Sequence, residues 1–165
     1  MNKQTKPENK TIFRFKVILP AEFKEDEVWR IIAISPQSTL VDFHKIIFKA
    51  FDRFDEHLWS FFMGKPFAKG TQEYLSRSFD DDFPRGTKVL ASKIKLQDLP
   101  LDKRRKIYYL FDYGDEWWHD IRFLGEAEAE PGEKYPRIEE KHGESPPQYL
   151  YDEEEEEYNE EEDEE

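Results

Sequence analysis

The chain contains no cysteine and only two methionines among its 165 residues. Without cysteine there are no disulfides, thiolate metal ligands or thiol nucleophiles, which agrees with a cytoplasmic address. The leader MNKQTKPENK lacks the apolar core of a signal peptide, and no apolar run reaches membrane-spanning length. We therefore expect a soluble protein with no membrane partner. Also absent are a glycine-rich phosphate loop, a GxSxG elbow, a CxxC pair and an internal repeat. The commonest signatures of nucleotide hydrolysis, acyl transfer and redox chemistry thus have no counterpart here.

Charge is abundant but unevenly placed. Net charge is −13, and residues 152–165 (DEEEEEYNEEEDEE) carry twelve acidic groups and no basic one. Taking −12 from −13 leaves residues 1–151 near −1. The acidity belongs to a C-terminal block that repels itself and has almost nothing apolar to bury, so residues 151–165 are expected to be a disordered acidic tail. A solubilising role accounts for such a tail; a contact with a basic protein is the functional alternative. Residues 1–10 form a polar leader, leaving 11–150 as one domain.

Within that domain aromatics are dense (16% of the chain, 14 of them Phe), which predicts a ring-rich core. Thr11 to Leu19 alternates, with Phe13, Phe15, Val17 and Leu19 on one side and Ile12, Arg14, Lys16 and Ile18 on the other, predicting a half-buried strand. Glu27 to Ser35 is apolar on both faces except at Arg30, as an interior strand would be. Thr39 with Asp42 forms a capping box ahead of Leu40, Phe43, Ile47, Ala50, Phe51 and Phe54, predicting one helix from about 40 to 54. His57 to Met63 reads as a third strand, Gln72 to Ser76 as a short one, Leu96 to Leu99 as a helical turn. Residues 103–113 and 116–124 read as a final hairpin, and Glu126 onward, with four prolines among charges, as irregular chain. The order β-β-α-β-…-β-β gives an α+β fold, a single mixed or antiparallel sheet covered by one principal helix. A β-grasp-like arrangement fits it, and a split barrel is the alternative.

The final hairpin, YYLFDYGDEWWHDIRFLG, holds the candidate site. Gly114 and Asp115 supply its turn, glycine because it tolerates positive φ. Parity places Trp117, His119, Ile121 and Phe123 on one face and Glu116, Trp118, Asp120 and Arg122 on the other. His119, Asp112 and Asp115 are thus the candidate catalytic residues. The structural alternative is a buried His119 holding a backbone carbonyl or Asp112, with both aspartates serving the turn. His44, near the helix's apolar stripe, and His57, one loop beyond it, would in a metal-binding reading converge with His119 and a carboxylate on zinc or another divalent metal; a histidine alone is more often structural than a ligand. Otherwise no cofactor is expected. Asp80, Asp81 and Asp82 invite a metal reading too, but in the loop Phe79–Gly86 they are expected to stay solvated. Lys103, Arg104, Arg105 and Lys106 form the one dense basic run. It would meet nucleic-acid phosphates, with Trp118 or Tyr108 offered for stacking, unless it is only a solvated strand entrance. The acidic tail could fold back on it.

The segments VWRIIAI, STLVDFHKIIFKAFDRFDEHLWSF and YLFDYGDEWWHDIRF, in that order and spacing, resemble the plasmid pRiA ORF-3-like family, small transposon-passenger proteins of the TnpR type. The resemblance spans residues 11–150. It rests on Trp29–Arg30, Thr39–Leu40 with His44, His57–Leu58, and the run Asp112-Tyr113-Gly114-Asp115 with Trp117 and His119. Where the family carries a Cys-Pro-Pro-Glu-Asp-like segment this chain has Ser145-Pro146-Pro147-Gln148-Tyr149, so any activity that needed the cysteine or the acids is in doubt here. The resemblance implies an α+β fold and no established function. No serine or tyrosine recombinase signature accompanies it. Three functional expectations follow: a non-enzymatic binding or interaction module linked to mobile elements or nucleic acid; a metal-dependent, hydrolase-like enzyme using His44, His57, His119 and Asp112 or Asp115; and an adaptor that engages a basic protein through its tail.

Overall fold

A computed structural model describes residues 10–21, 26–77 and 88–149. In chain order the elements are β1 (Thr11–Leu19), β2 (Val28–Ile34), α1 (Leu40–Ala50), β3 (Trp59–Phe62), β4 (Glu73–Leu75), β5 (Lys88–Leu90), two 3-10 turns (Ala91–Lys93 and Leu96–Asp98), β6 (Lys106–Phe111), β7 (Trp117–Glu128) and β8 (Arg137–His142). The strands form one mixed sheet in the order β5-β4-β3-β6-β7-β1-β2-β8. All pairings are antiparallel except β4 with β5. With a single helix among the described residues, this is an α+β architecture.

The alternation of β1 does what it predicts. Phe13, Phe15, Val17 and Leu19 lie in register with Ile34, Ile32, Arg30 and Val28 of β2, and this face packs under α1. Across the other side of β1, Phe15 and Val17 meet Phe123 and Ile121 of β7, and β6 and β3 continue the layer with Tyr109 and Phe61. β2 is interior, between β1 and β8, which explains its two apolar faces. In the capping box of α1 the Asp42 amide donates to Thr39 Oγ1 (3.3 Å) and the Thr39 amide to the Asp42 carboxylate (2.8 Å), satisfying donors that a helix start otherwise leaves orphaned. Leu40, Phe43, Ile46, Ile47 and Ala50 are buried against the sheet, each large side chain contributing roughly 1.5–3 kcal/mol by burial.

Several features differ from the sequence reading, among them the start of β6, which is Lys106 rather than 103. The helix ends at Ala50 rather than near 54, because Asp52 turns left-handed (φ 53°) and Phe54 points outward, 65% exposed. The expected irregular chain after Glu126 is in part strand: β7 runs to Glu128, and Arg137–His142 adds β8 at the sheet edge. Charged RIEEKH carries little apolar signal, yet charge is what an exposed edge favours. Finally, Gly114 does not supply the hairpin's positive φ; Asp112 (63°) and Glu116 (54°) do. The loop Phe79–Gly86 with Asp80–Asp82, the leader up to residue 9 and the acidic block lie outside the described residues.

Candidate functional site

The family-like segments meet around residues 51–58, the loop leaving α1. Arg30, 2% exposed, crosses beneath it. Its Nε donates to the Ala50 carbonyl (2.9 Å) at the helix C-terminus, and Nη1 to the carbonyls of Trp29, His142 and Gly143 (2.9–3.0 Å). A cation there complements the helix dipole and pins β8 to the helix end. Above the loop, Ser145 donates to the Phe51 carbonyl (2.9 Å). The Gln148 side chain accepts from the amides of Phe54 and Asp55 (2.9 and 3.1 Å) and donates to the Asp55 carbonyl (2.7 Å). Ser145–Tyr149 is thus a strap over the loop, and its glutamine, 3% exposed, satisfies backbone groups where the family pattern has an acid.

The three histidines take three separate settings. His44 stacks on Trp59 (centroids 4.4 Å apart, 10° between planes) and is 2% exposed. Its Nε2 donates to the Glu56 carboxylate (2.8 Å), which leaves Nδ1 to accept from the Tyr109 hydroxyl (2.6 Å). Burial, helped by the charge of Lys45, lowers the His44 pKa to about 3. Glu56 pulls the other way, but its side chain is 61% exposed and well screened, so desolvation of the ring dominates. Burial likewise raises the Tyr109 hydroxyl well above its ordinary value.

His57 faces outward. Its Nε2 donates to Tyr149 Oη (2.6 Å), whose hydroxyl donates to Asp55 (2.6 Å), and the Asp112 carboxylate lies 3.5 Å away. The hydrogen bond to Asp55 holds the Tyr149 phenol up at about 12. Asp112 serves the hairpin: its Oδ1 accepts from the amides of Gly114 (2.9 Å) and Asp115 (3.3 Å), an Asx turn. Asp115 is exposed at the tip. His119, 1% exposed, donates from Nδ1 to the Trp117 carbonyl (3.0 Å), the buried structural setting weighed above, and not to Asp112. Burial first, then the charge of Arg53, lowers its pKa to about 3. Among the described residues no group of three or more His, Cys, Asp or Glu is placed to hold a metal ion; His44 and His119 instead pack against Tyr109 (6.1 and 5.2 Å).

Sequence reasoning missed Arg53, Glu56 and Tyr109. Arg53 is 7% exposed, with its guanidinium 4.0 Å over the Trp117 ring, and burial lowers its pKa to about 10. An arginine in a loop gives no sequence signal of burial.

The opposite face of the sheet, away from α1, is chemically different. Lys16 of β1 lies in register with Arg122 of β7, and Arg122 with Lys106 of β6, so three cations form a row across three adjacent strands. Lys16 sits over the Trp29 ring (4.6 Å) and Lys106 over Tyr108 (5.1 Å), with Asp120 pairing Lys106 at 3.1 Å. Further along, Trp118 packs with Phe62 and with Phe67, which is 76% exposed. Lys103, Arg104 and Arg105 are exposed just before β6, and the Lys103 stem lies against Gly125 on this same face, where any Cβ would meet it at 2.9 Å. Of the basic run predicted from sequence, Lys106 is thus part of the cation row and Lys103 reaches Gly125 on β7.

No curated protein matches the chain. Among solved structures it is similar to a protein of unknown function from Methanosarcina mazei Go1, with a TM-score of 0.69 and 23% identity over 84% of this chain and 73% of that one, a likeness of fold. The model of the plasmid pRiA4b ORF-3-like proteins matches residues 11–160. With the motifs, the fold and that match in agreement, the chain belongs to the plasmid pRiA4b ORF-3-like protein family.

Proposed function

We propose that this protein is a non-enzymatic binding module that takes single-stranded nucleic acid on the open face of its sheet. The observation that carries the reading is the row Lys106–Arg122–Lys16. Like charges placed directly opposite on neighbouring strands destabilise a sheet, and among the described residues the ion pair on this row is at its Lys106 end, with Asp120. A polyphosphate backbone would neutralise all three, while Tyr108 and Trp118 offer ring faces on which bases stack. Lys103, Arg104 and Arg105 extend the same track. On this reading the protein works in the cytoplasm, in company with mobile elements, and the acidic block 152–165 competes with nucleic acid for the row. A basic protein remains a partner for that block. The β-grasp-like description is kept only for the opening hairpin and helix.

Glu56–His44–Tyr109 favours a second, enzymatic reading. A carboxylate orienting a histidine that accepts from a hydroxyl is the arrangement that activates nucleophiles. The hydroxyl is sealed in the core, however, which is why binding comes first. Exchanging Lys16, Lys106 and Arg122 together for Gln tests the proposal. Anisotropy titration of a labelled single strand should show affinity falling at least tenfold with the melting temperature kept; unchanged affinity would refute it.

A further inference from the structure

On the helix side of the sheet, away from the cation row, Arg53 presents an unusual edge. Nε–H and Nη2–H point in parallel along one side of a guanidinium, the pair of donors that grips a two-oxygen anion. In Arg53 both atoms are buried and neither has a hydrogen-bond partner. The third nitrogen, Nη1, reaches the Pro146 carbonyl at 3.5 Å, and the flat face of the group is covered by Trp117 at 4.0 Å. What stays open is therefore the bidentate edge. Buried charged donors are ordinarily satisfied, and the neighbouring buried arginine, Arg30, shows what satisfaction looks like, with four carbonyls on it.

A second unpartnered atom belongs to His119, whose ring feels the charge of Arg53. His119 donates from Nδ1 to the Trp117 carbonyl, so in the neutral ring Nε2 carries a lone pair and asks for a donor. That Nε2 is buried and without a partner. His119 and Trp117 are two residues apart on one face of β7, about 7 Å along the strand, and Arg53 lies over Trp117. Phe51 and Tyr109 wall the imidazole at 5.0 and 5.2 Å.

We infer that Arg53 and His119 form a binding site for a small protonated oxyanion. Two of its oxygens would accept from Arg53 Nε and Nη2, and its hydroxyl would donate to His119 Nε2. The hydrogen phosphate group, free or as a phosphomonoester, has this pattern of two acceptors and one donor; an α-hydroxycarboxylate has it too. Sulfate has the acceptors and lacks the proton. His119 stays neutral down to low pH, so its acceptor role holds across the range in which hydrogen phosphate exists. The Ser145–Tyr149 strap, bonded to both sides of the loop that carries Arg53, is the element that would have to part for entry.

The test is an NMR titration of the full chain, following the Arg53 Nε–H resonance and the His119 ring signals as inorganic phosphate, glycolate or sulfate is added at constant ionic strength. Saturable shifts of both groups with phosphate or glycolate, and at least tenfold weaker ones with sulfate, are expected; which of the two binds tighter separates phosphoryl from hydroxycarboxylate ligands. Arg53→Lys keeps the charge and loses the fork, so its phosphate affinity should fall at least tenfold. His119→Gln should narrow the gap between phosphate and sulfate. Shifts that follow ionic strength alone, equal response to sulfate, or a wild-type Arg53 Nε–H that no anion moves would overturn the site without needing either variant.

Discussion

Lowering pH should weaken this protein through His119 in particular. Its folded pKa of about 3 lies far below the ordinary histidine value of 6.5 because the ring is buried and faces the charge of Arg53. The unfolded chain therefore binds a proton between pH 6.5 and 3 that the folded chain refuses. Stability from this group is fully present above pH 6.5 and is lost as pH falls through that window, at about 1.4 kcal/mol per unit. By pH 4.5 the loss from His119 alone is about 3 kcal/mol, a large share of the roughly 5–15 kcal/mol that holds a typical domain. His44, also lowered to about 3, acts in the same direction, so the variant isolates the claim. Urea unfolding of wild type and His119→Gln should be compared from pH 7 to pH 4.5. The variant should be less stable at pH 7, having lost the packing against Phe51 and Tyr109, yet its stability should fall less steeply, the two slopes differing by about 1.4 kcal/mol per unit. Parallel slopes would refute the reasoning, since they would mean that His119 protonates as easily in the fold as outside it.

Other predictions concern the loop and the charges. Arg30→Met leaves the buried Ala50 carbonyl and three partly buried ones without their donor and should cost about 3–5 kcal/mol in urea unfolding; a loss under about 1 kcal/mol would show that water replaces the guanidinium. Gln148→Ala removes the acceptor from the Phe54 and Asp55 amides. Their hydrogen exchange should accelerate by about tenfold or more, corresponding to about 1.4 kcal/mol of local protection, and unchanged exchange would mean that the strap does not hold the loop. Removing residues 152–165 should tighten nucleic-acid binding and steepen its salt dependence. Binding by the truncated chain that is unchanged and indifferent to salt would dismiss competition by the acidic block.

Much of the sheet was legible because its signals are local. β1 alternates, β2 is apolar on both faces, and Thr39–Asp42 marks the start of α1, each within a few residues. β8 was not, since an edge strand built of Arg137, Glu139, Glu140 and Lys141 has no core to advertise. The stop of α1 was also obscured: Phe51 and Phe54 continue the apolar spacing, but the chain turns left-handed at Asp52 and Phe54 leaves the core. At the candidate site, parity correctly put His119 on the buried face and Trp118 on the other. It could say nothing of Arg53, which becomes interior only because Trp117 and the Pro146 strap close over it. Nor could it show that His44 and His119 reach the same tyrosine while His57 looks outward, because that depends on how the helix crosses the strands. The cation row is the clearest case of register creating a feature: Lys16, Lys106 and Arg122 are far apart in sequence and adjacent only once β1, β7 and β6 are aligned.

Register also makes the row measurable. Binding of a single strand through Lys16, Lys103, Arg104, Arg105, Lys106 and Arg122 should release counterions from about six phosphates, giving a slope of log affinity against log salt of about −4, at about 0.7 per contact. Replacing Lys16, Lys106 and Arg122 with Gln should bring that slope to about −2. Anisotropy titration across a salt series on both proteins is the most direct test of the open face. A steep slope that flattens in the variant is the predicted result, and no binding at low salt, or a slope the variant leaves untouched, would contradict it.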